Sequence, residues 1–320
     1  MKQHYVIADV GGTNIRLASV DTASGEMRHI QKYLCADYGS IADVAKIYFA
    51  TLEGEVKQFC IAIACPVDTD LIEMTNHTWT FSQQQLKQEL NLDALYVIND
   101  YTAISLAVPF LTDDEKVQIG GGDVKANKAI GICGPGTGLG VGHLVHLSNK
   151  WISLDGEGGH TSFPAVGEDA RAVLDVLGKR MGHVSSERLL SGQGIDNIYS
   201  ALCELAGQEV TLTTPAQISE AGLNKSCPLA EKTLAIFCQS LGAFAGNLAL
   251  NLACEGGVYI AGGIVPRFID YFKQSTFRQG FEYKGRFSEY NAGIATFVVT
   301  HDDPGLFGAG VYLRQEIGTL

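Results

Sequence analysis

Residues 4–20 read HYVIADVGGTNIRLASV, and residues 129–147 read AIGICGPGTGLGVGHLVHL. Each is an apolar strand pattern that runs into a glycine turn and leaves it as a second strand. Glycine lets the backbone approach an anion closely, and successive N–H groups at such a turn form a concave anion-binding nest. The echo between the two hairpins predicts a duplicated architecture with a ligand cleft between its halves. The first loop, Asp9-Val10-Gly11-Gly12-Thr13-Asn14, leaves two readings open. A plain hairpin turn also uses a Gly-Gly pair. As a phosphate loop, it would gain side-chain donors from Thr13 and Asn14. Asp9, at the strand end, would hold Mg²⁺ through water as a hard oxygen ligand.

The second loop, Gly134-Pro135-Gly136-Thr137-Gly138-Leu139-Gly140, carries four glycines in seven residues with a threonine at its centre. It is neither a Walker loop nor a dinucleotide fingerprint: no GxxxxGK[ST] occurs, and Leu139 and Val141 stand where a third fingerprint glycine is required. A third glycine turn, Ala261-Gly262-Gly263-Ile264, closes another apolar strand. With no side chain in the way, such a turn can lie against the flat face of a nucleobase.

Around these loops strands and helices alternate. Apolar patterns predict strands at 28–34, 59–64 and 94–98. Helices are predicted at 40–52, from an N-capping Ser82, and at 101–108. A second strand-rich segment begins near 117, with strands at 128–133, 140–147 and 150–154. Beyond it the chain turns helical, at 168–181, 185–191, 194–206, 214–223 and 228–253. Strands return at 257–261 and 295–299, and a last helix over 304–317 is expected to fold back on the first lobe. Mixed elements at this spacing argue for an α/β protein. The expected division is 1–110 plus 301–320, and 111–300.

At 320 residues the chain suits two domains, and 46% hydrophobic against 18% charged residues is the balance of an ordered globular protein. The formal net charge of -12 opposes binding to a nucleic-acid backbone. No uninterrupted apolar run is long enough to predict a membrane span, and the N-terminal apolar run breaks at Asp9, too short for a signal segment. The eight cysteines are scattered, with no CxxC pair. They read as free thiols in a reducing cytoplasm, where the sequon Asn76-His77-Thr78 would not be glycosylated.

The three glycine loops, in this order, resemble the phosphate 1, phosphate 2 and adenosine motifs of the sugar kinase, actin and chaperone ATPase superfamily. VINDYTA (97–103), EGGH (157–160) and SSERLLSG (185–192) narrow the resemblance to bacterial glucokinases, the branch separate from the repressor/kinase family. It covers almost the whole chain and rests on the ordered set of motifs rather than on any one. It implies the two-lobed, ribonuclease H-like fold of the actin-like ATPases. It further implies ATP with Mg²⁺ as phosphoryl donor, D-glucose as acceptor, and a homodimer. Gly11, Gly12, Thr13, Asn14, Gly136, Thr137 and Gly138 would hold the phosphates, and Gly262 and Gly263 the adenine.

Asn99-Asp100 stands at a strand end, where ligands bind in α/β sheets, and equally suits capping of the next helix. The resemblance makes Asp100 the general base that takes the proton of the sugar 6-hydroxyl. It makes Asn99, Glu157, His160 and Glu187 the partners of the other hydroxyls, since carboxylate and imidazole pair well with neighbouring hydroxyls.

The repressor/kinase branch follows its glutamate–histidine motif with a cysteine-rich zinc site. Here no cysteine follows His160 until Cys203, so no structural zinc is expected. No DNA-reading helix-turn-helix precedes the first loop. Two rivals remain: a kinase of another hexose, and a nucleotide-binding regulator that kept the fold without the kinase role. His77 and Trp79 could serve the sugar or the core. Arg16 could face phosphate or form a surface ion pair.

Overall fold

The alternation along 4–10 sends successive side chains to opposite faces of a sheet, and each face acquires its own cover. The structure, a computed structural model, describes residues 3–74 and 77–320; Asn76 of the sequon lies outside the described residues. The chain forms two units, Met1–Leu111 with His301–Leu320, and Thr112–Thr300.

The first unit runs β1 (Gln3–Val10), β2 (Asn14–Val20), β3 (Met27–Leu34), α1 (Ile41–Ala50), β4 (Glu55–Ile63), β5 (Leu71–Glu73), β6 (Thr80–Ser82), α2 (Gln83–Glu89), β7 (Ala94–Asn99) and α3 (Asp100–Ala107). The terminal helix, Pro304–Glu316, completes it. Its main sheet has the order β3-β2-β1-β4-β7. β1 is antiparallel to β2 and parallel to β4, and β4 is parallel to β7. Val6, Ala8 and Val10 pack with Val44, Ala45 and Tyr48 of α1 on one face. Ile7 packs with Ala103 of α3 and with Leu306, Ala309 and Leu313 of the terminal helix on the other. Asp9 follows Ile7 by two, so it belongs to the face that carries α3 and the terminal helix.

Serines start two helices: Ser40 accepts from the Asp43 amide, and Ser82 from the Gln85 amide. The short hairpin of β5 and β6 was not foreseen from the sequence. Trp79 is buried in the core, and its indole N–H donates to Tyr38 O at 3.1 Å. Packing thus accounts for Trp79. His77 stays partly exposed and stacks edge-on against it.

The second unit runs β8 (Lys116–Gly120), β9 (Ile130–Pro135), β10 (Leu139–Leu147), β11 (Lys150–Leu154), α4 (Glu168–Met181), α5 (Gly192–Ala206), α6 (Pro215–Leu223), α7 (Pro228–Leu252), β12 (Val258–Ile260), α8 (Ile269–Gln274), α9 (Phe277–Glu282), α10 (Ser288–Ala292) and β13 (Thr296–Val299). Its sheet order is β11-β10-β9-β12-β13-β8. The first five positions repeat the first unit: an antiparallel hairpin with a third antiparallel strand outside it, then two parallel strands. The duplication expected from the two glycine hairpins is therefore present in the topology. α7 is long and apolar enough to cross a membrane, but Leu234, Phe237, Leu241 and Ala245 are buried in the unit's own core, as in a central helix of a globular domain.

Two expectations change here. Residues 185–191 are not an α-helix but a single 3₁₀ turn, Ser186–Arg188. Ser185 is held in a β-bridge to Ser162, and Ser191 already caps α5, which leaves space for one turn only. The segment between β12 and β13 folds as α8, α9 and α10, whose short apolar patterns the sequence reading passed over. All eight cysteines are free thiols, and seven are buried.

Candidate active site

In the first unit, β1 ends at Asp9-Val10 and its hairpin turn begins. Gly11 N–H closes the turn on Asn14 O at 2.9 Å, so this amide is spent. Gly12 and Thr13 donate to no backbone acceptor among the described residues, and Thr13 is exposed at the tip. The nest is thus narrower than the run Gly11–Asn14 suggested. Two consecutive amides remain for an anion, with the Thr13 hydroxyl beside them.

Asn99 and Asp100 stand where β7 passes into α3. Asn99 Oδ1 accepts from the Tyr101 and Thr102 amides at 2.8 and 3.3 Å, and Nδ2 donates to Cys65 O at 3.4 Å. The capping reading of Asn99 is therefore realised, and one Nδ2 hydrogen is left for a ligand. Asp100 begins α3, and its Oδ1 accepts from the Tyr101 amide at 2.9 Å. This bond orients the carboxylate at the start of the helix.

Asp9 faces the same corner. Burial pushes its carboxyl up from 3.8 to about 6; the nearby Asp100 and Asp303 charges add to the rise, and the Arg16 guanidinium opposes it. Arg16, paired with Asp9 across the β1–β2 ladder, reaches Asp303 with Nη1 2.6 Å from Oδ1. Arg16 thus forms an ion pair on the Asp9 side of the sheet. Gly305, at the start of the terminal helix, packs on Asp9: a Cβ there would lie 3.2 Å from the carboxylate carbon. Asp303 and Gly305 were missed by sequence reasoning, since nothing local to 301–305 points to residue 9.

These acceptors are hard oxygens, which suits Mg²⁺. Among the described residues no cluster of three His, Cys, Asp or Glu side chains stands at metal-holding spacing. A cation bound at Asp9 would therefore need phosphate oxygens for most of its ligands, as Mg²⁺ at nucleotide sites does.

The second unit repeats the loop design. Gly136 N–H donates to Gly138 O at 2.8 Å, while Thr137 and Gly138 donate to no backbone acceptor among the described residues, and Thr137 is exposed. Thr13 and Thr137 thus occupy matching tips of matching hairpins. The 3₁₀ turn Gly158–His160 carries Glu157 and His160, both exposed, with Glu157 Oε2 3.8 Å from His160 Nε2. Gly159 has no room for a side chain, because a Cβ there would run into Leu139 O. Glu187 lies on the neighbouring 3₁₀ turn, and its Oε2 accepts from the Leu139 amide at 2.9 Å. Ser186 N–H donates to Thr161 O at 2.8 Å, which joins the two turns.

Gly262 and Gly263 divide their work. A Cβ on Gly262 would lie 2.5 Å from Pro135 O, so this glycine allows the third turn to pack on the phosphate-loop strand. Gly263 has open space around it and lines a cavity of about 1080 Å³. Its lining includes Ala216, Ser219 and Leu223 of α6, Asn224 just beyond that helix, and Ile264, Arg267 and Phe268. Gly136 and Thr137 also line it. A Cβ on Gly192 would touch both Gly136 O and Pro215, so α6 starts near the phosphate loop. A cavity of this size, lined by apolar side chains and reaching Thr137, whose amide donates to no backbone acceptor among the described residues, fits a nucleoside with its phosphates at the loop.

The chain matches the Glucokinase family over residues 6–316. It is 48% identical to the glucokinase of Psychromonas ingrahamii over 318 residues, 99% of each chain. It is 47% identical to that of Cronobacter sakazakii over 320 residues, the whole of both. The crystal structure of a glucokinase from an Antarctic psychrotroph superposes with a TM-score of 0.92 at 34% identity, covering 98% of this chain and 100% of the other. The fold is accordingly the actin-like ATPase fold of these sugar kinases. Sharing nearly half its residues with such relatives from end to end, the chain belongs to the glucokinase family.

Proposed function

We infer that this protein transfers the γ-phosphoryl group of ATP to D-glucose, giving glucose 6-phosphate and ADP. The observation that carries the reading is Asp100 at the first turn of α3, with its carboxylate oriented by the Tyr101 amide and close enough to Asp9 to raise the Asp9 pKa. Phosphoryl transfer asks for positioning, charge stabilisation and a base for the incoming hydroxyl. Asp100 takes the proton of the 6-hydroxyl as that oxygen bonds to the γ-phosphorus and the bond to the ADP oxygen breaks. The free amides of Gly12, Thr13, Thr137 and Gly138 hold phosphate oxygens, and the Thr13 and Thr137 hydroxyls add donors. Asp9 would be the residue that holds Mg²⁺. A divalent cation held there would supply charge neutralisation for the phosphoryl group in transfer. Glu157, His160, Glu187 and the remaining Asn99 hydrogen engage the other sugar hydroxyls. The cavity beside Gly263 takes the adenosine.

A homodimer is the form we expect, on the family resemblance alone, and the scattered free thiols suit a reducing cytoplasm. The test of the function is ADP release from Mg·ATP across a panel of hexoses, with a sugar-free control. Glucose-dependent release with glucose 6-phosphate as product supports the reading. Release with another hexose alone keeps the chemistry and replaces the substrate. Sugar-independent hydrolysis, or none, overturns it in favour of a nucleotide-binding regulator.

A further inference from the structure

A second cavity in the Thr112–Thr300 unit, of about 630 Å³, contains none of the residues assigned above to ATP or glucose. Leu174, Asp175, Gly178 and Lys179 of α4 line it, and their spacing of three and four places them on one face of that helix. Ser162 and His183 line it as well. Phe163 N–H donates to Val184 O at 3.0 Å and Ser162 bridges Ser185, so the segments that carry Ser162 and His183 are tied side by side. Gly182, at φ +74°, ends α4 by donating to Gly178 O at 2.9 Å and turns the chain into His183.

Three features of this cavity serve no purpose in the fold. Glycine inside a helix is less favourable than alanine, yet no atom stands within 4 Å of where a Gly178 Cβ would lie. Packing does not require this glycine, and what its missing side chain provides is room in the cavity. Asp175 and Lys179 are opposite charges four residues apart, but they pair neither with each other nor with any other described residue. Ser162 Oγ lies 3.2 Å from His183 Nε2. With the serine hydroxyl donating, the ring carries its proton on Nδ1 and offers it to a ligand.

We propose that this cavity binds a small phosphate monoester that also carries hydroxyl groups. Lys179 meets the phosphate as an ammonium, and His183 Nδ1–H donates to it. The C-terminus of a helix is negative by about half a charge, which the full charge of Lys179 outweighs. Asp175 stands one turn back along α4, about 6 Å along the axis. There it accepts from a hydroxyl of the ester, and its charge disfavours a bare phosphate that has no such donor. Leu174 offers apolar surface to the carbon skeleton.

The experiment is calorimetric titration of glycerol 3-phosphate, glucose 6-phosphate and inorganic phosphate into the wild-type protein, Gly178→Leu and Lys179→Gln. Glucose and Mg·ADP are present throughout to occupy the sites assigned above. The wild-type protein should bind one or both esters at one per chain, and more tightly than inorganic phosphate. Lys179→Gln should weaken the ester about tenfold or more, the worth of a charged hydrogen bond. Gly178→Leu, which fills the cavity, should abolish ester binding. Glucose-dependent ADP release should stay at the wild-type level in both variants, which shows that they are folded; if Gly178→Leu loses it, Lys179→Gln decides alone. No ester binding to the wild-type protein overturns the proposal. So does inorganic phosphate bound as tightly as the esters, and so does ester binding undiminished in a variant that releases ADP normally.

Discussion

Arg16 Nη1 lies 2.6 Å from Asp303 Oδ1, and the same guanidinium is the positive group that opposes the rise in the Asp9 pKa. The corner of β1, α3 and the terminal helix is otherwise acidic, with Asp9, Asp100 and Asp303 acting on one another. Arg16→Ala should leave Asp9 without its counter-charge and push its carboxyl above about 6. The acid limb of the pH profile for kcat/KM of Mg·ATP should then move to higher pH, by about one unit. Measuring that profile in both proteins checks the shift; an unmoved limb would show that Arg16 serves only the surface pair.

The sign of the Asp9 effect on stability is opposite to that of an ordinary paired carboxylate. Its folded pKa lies above the unfolded value of 3.8. Its contribution is therefore fully present below that value and is lost as pH rises through about 6. The ligand-free protein carries a strained, ionised Asp9 at neutral pH. Asp9→Asn should raise stability at pH 8 by about 1–3 kcal/mol while cutting turnover by about 10²-fold or more. Thermal melts of both proteins at pH 5 and pH 8 test this, and the gain should shrink at the lower pH.

Ile264 lines the cavity of about 1080 Å³ together with residues of α6. Ile264→Trp should fill the place assigned to the nucleoside. KM for ATP should rise about tenfold or more, the size of a lost apolar pocket contact, with glucose binding unchanged by calorimetry. An unaltered KM would remove the nucleoside from this cavity.

Local chemistry made much of this molecule legible. The strands at 4–10, 59–64 and 94–98 declared themselves through apolar runs, and the three loops through glycine at strand ends. Asn99 could be read as a cap because the cap acts on amides two and three residues away. What could not be read depends on distant partners. The Glu187 bond to Leu139 spans 48 residues, and Asp303 meets Arg16 from the far end of the chain. The helix expected over 185–191 failed for the same reason: its neighbours Ser185 and Ser191 were committed to Ser162 and to α5. The glycines of the third turn looked alike, yet only the fold shows that Gly262 serves packing and Gly263 faces the cavity.

The central claim is that Asp100 is the base for the sugar hydroxyl, and single-turnover phosphorylation of glucose by Asp100→Asn tests it most directly. The amide keeps an acceptor for the Tyr101 N–H, so α3 should start as before and glucose should still bind. The account predicts that the chemical step slows by about 10²–10⁴-fold, the usual worth of a general base, with glucose affinity within a few-fold of wild type. Phosphorylation at a near-normal rate by the Asn variant would contradict it.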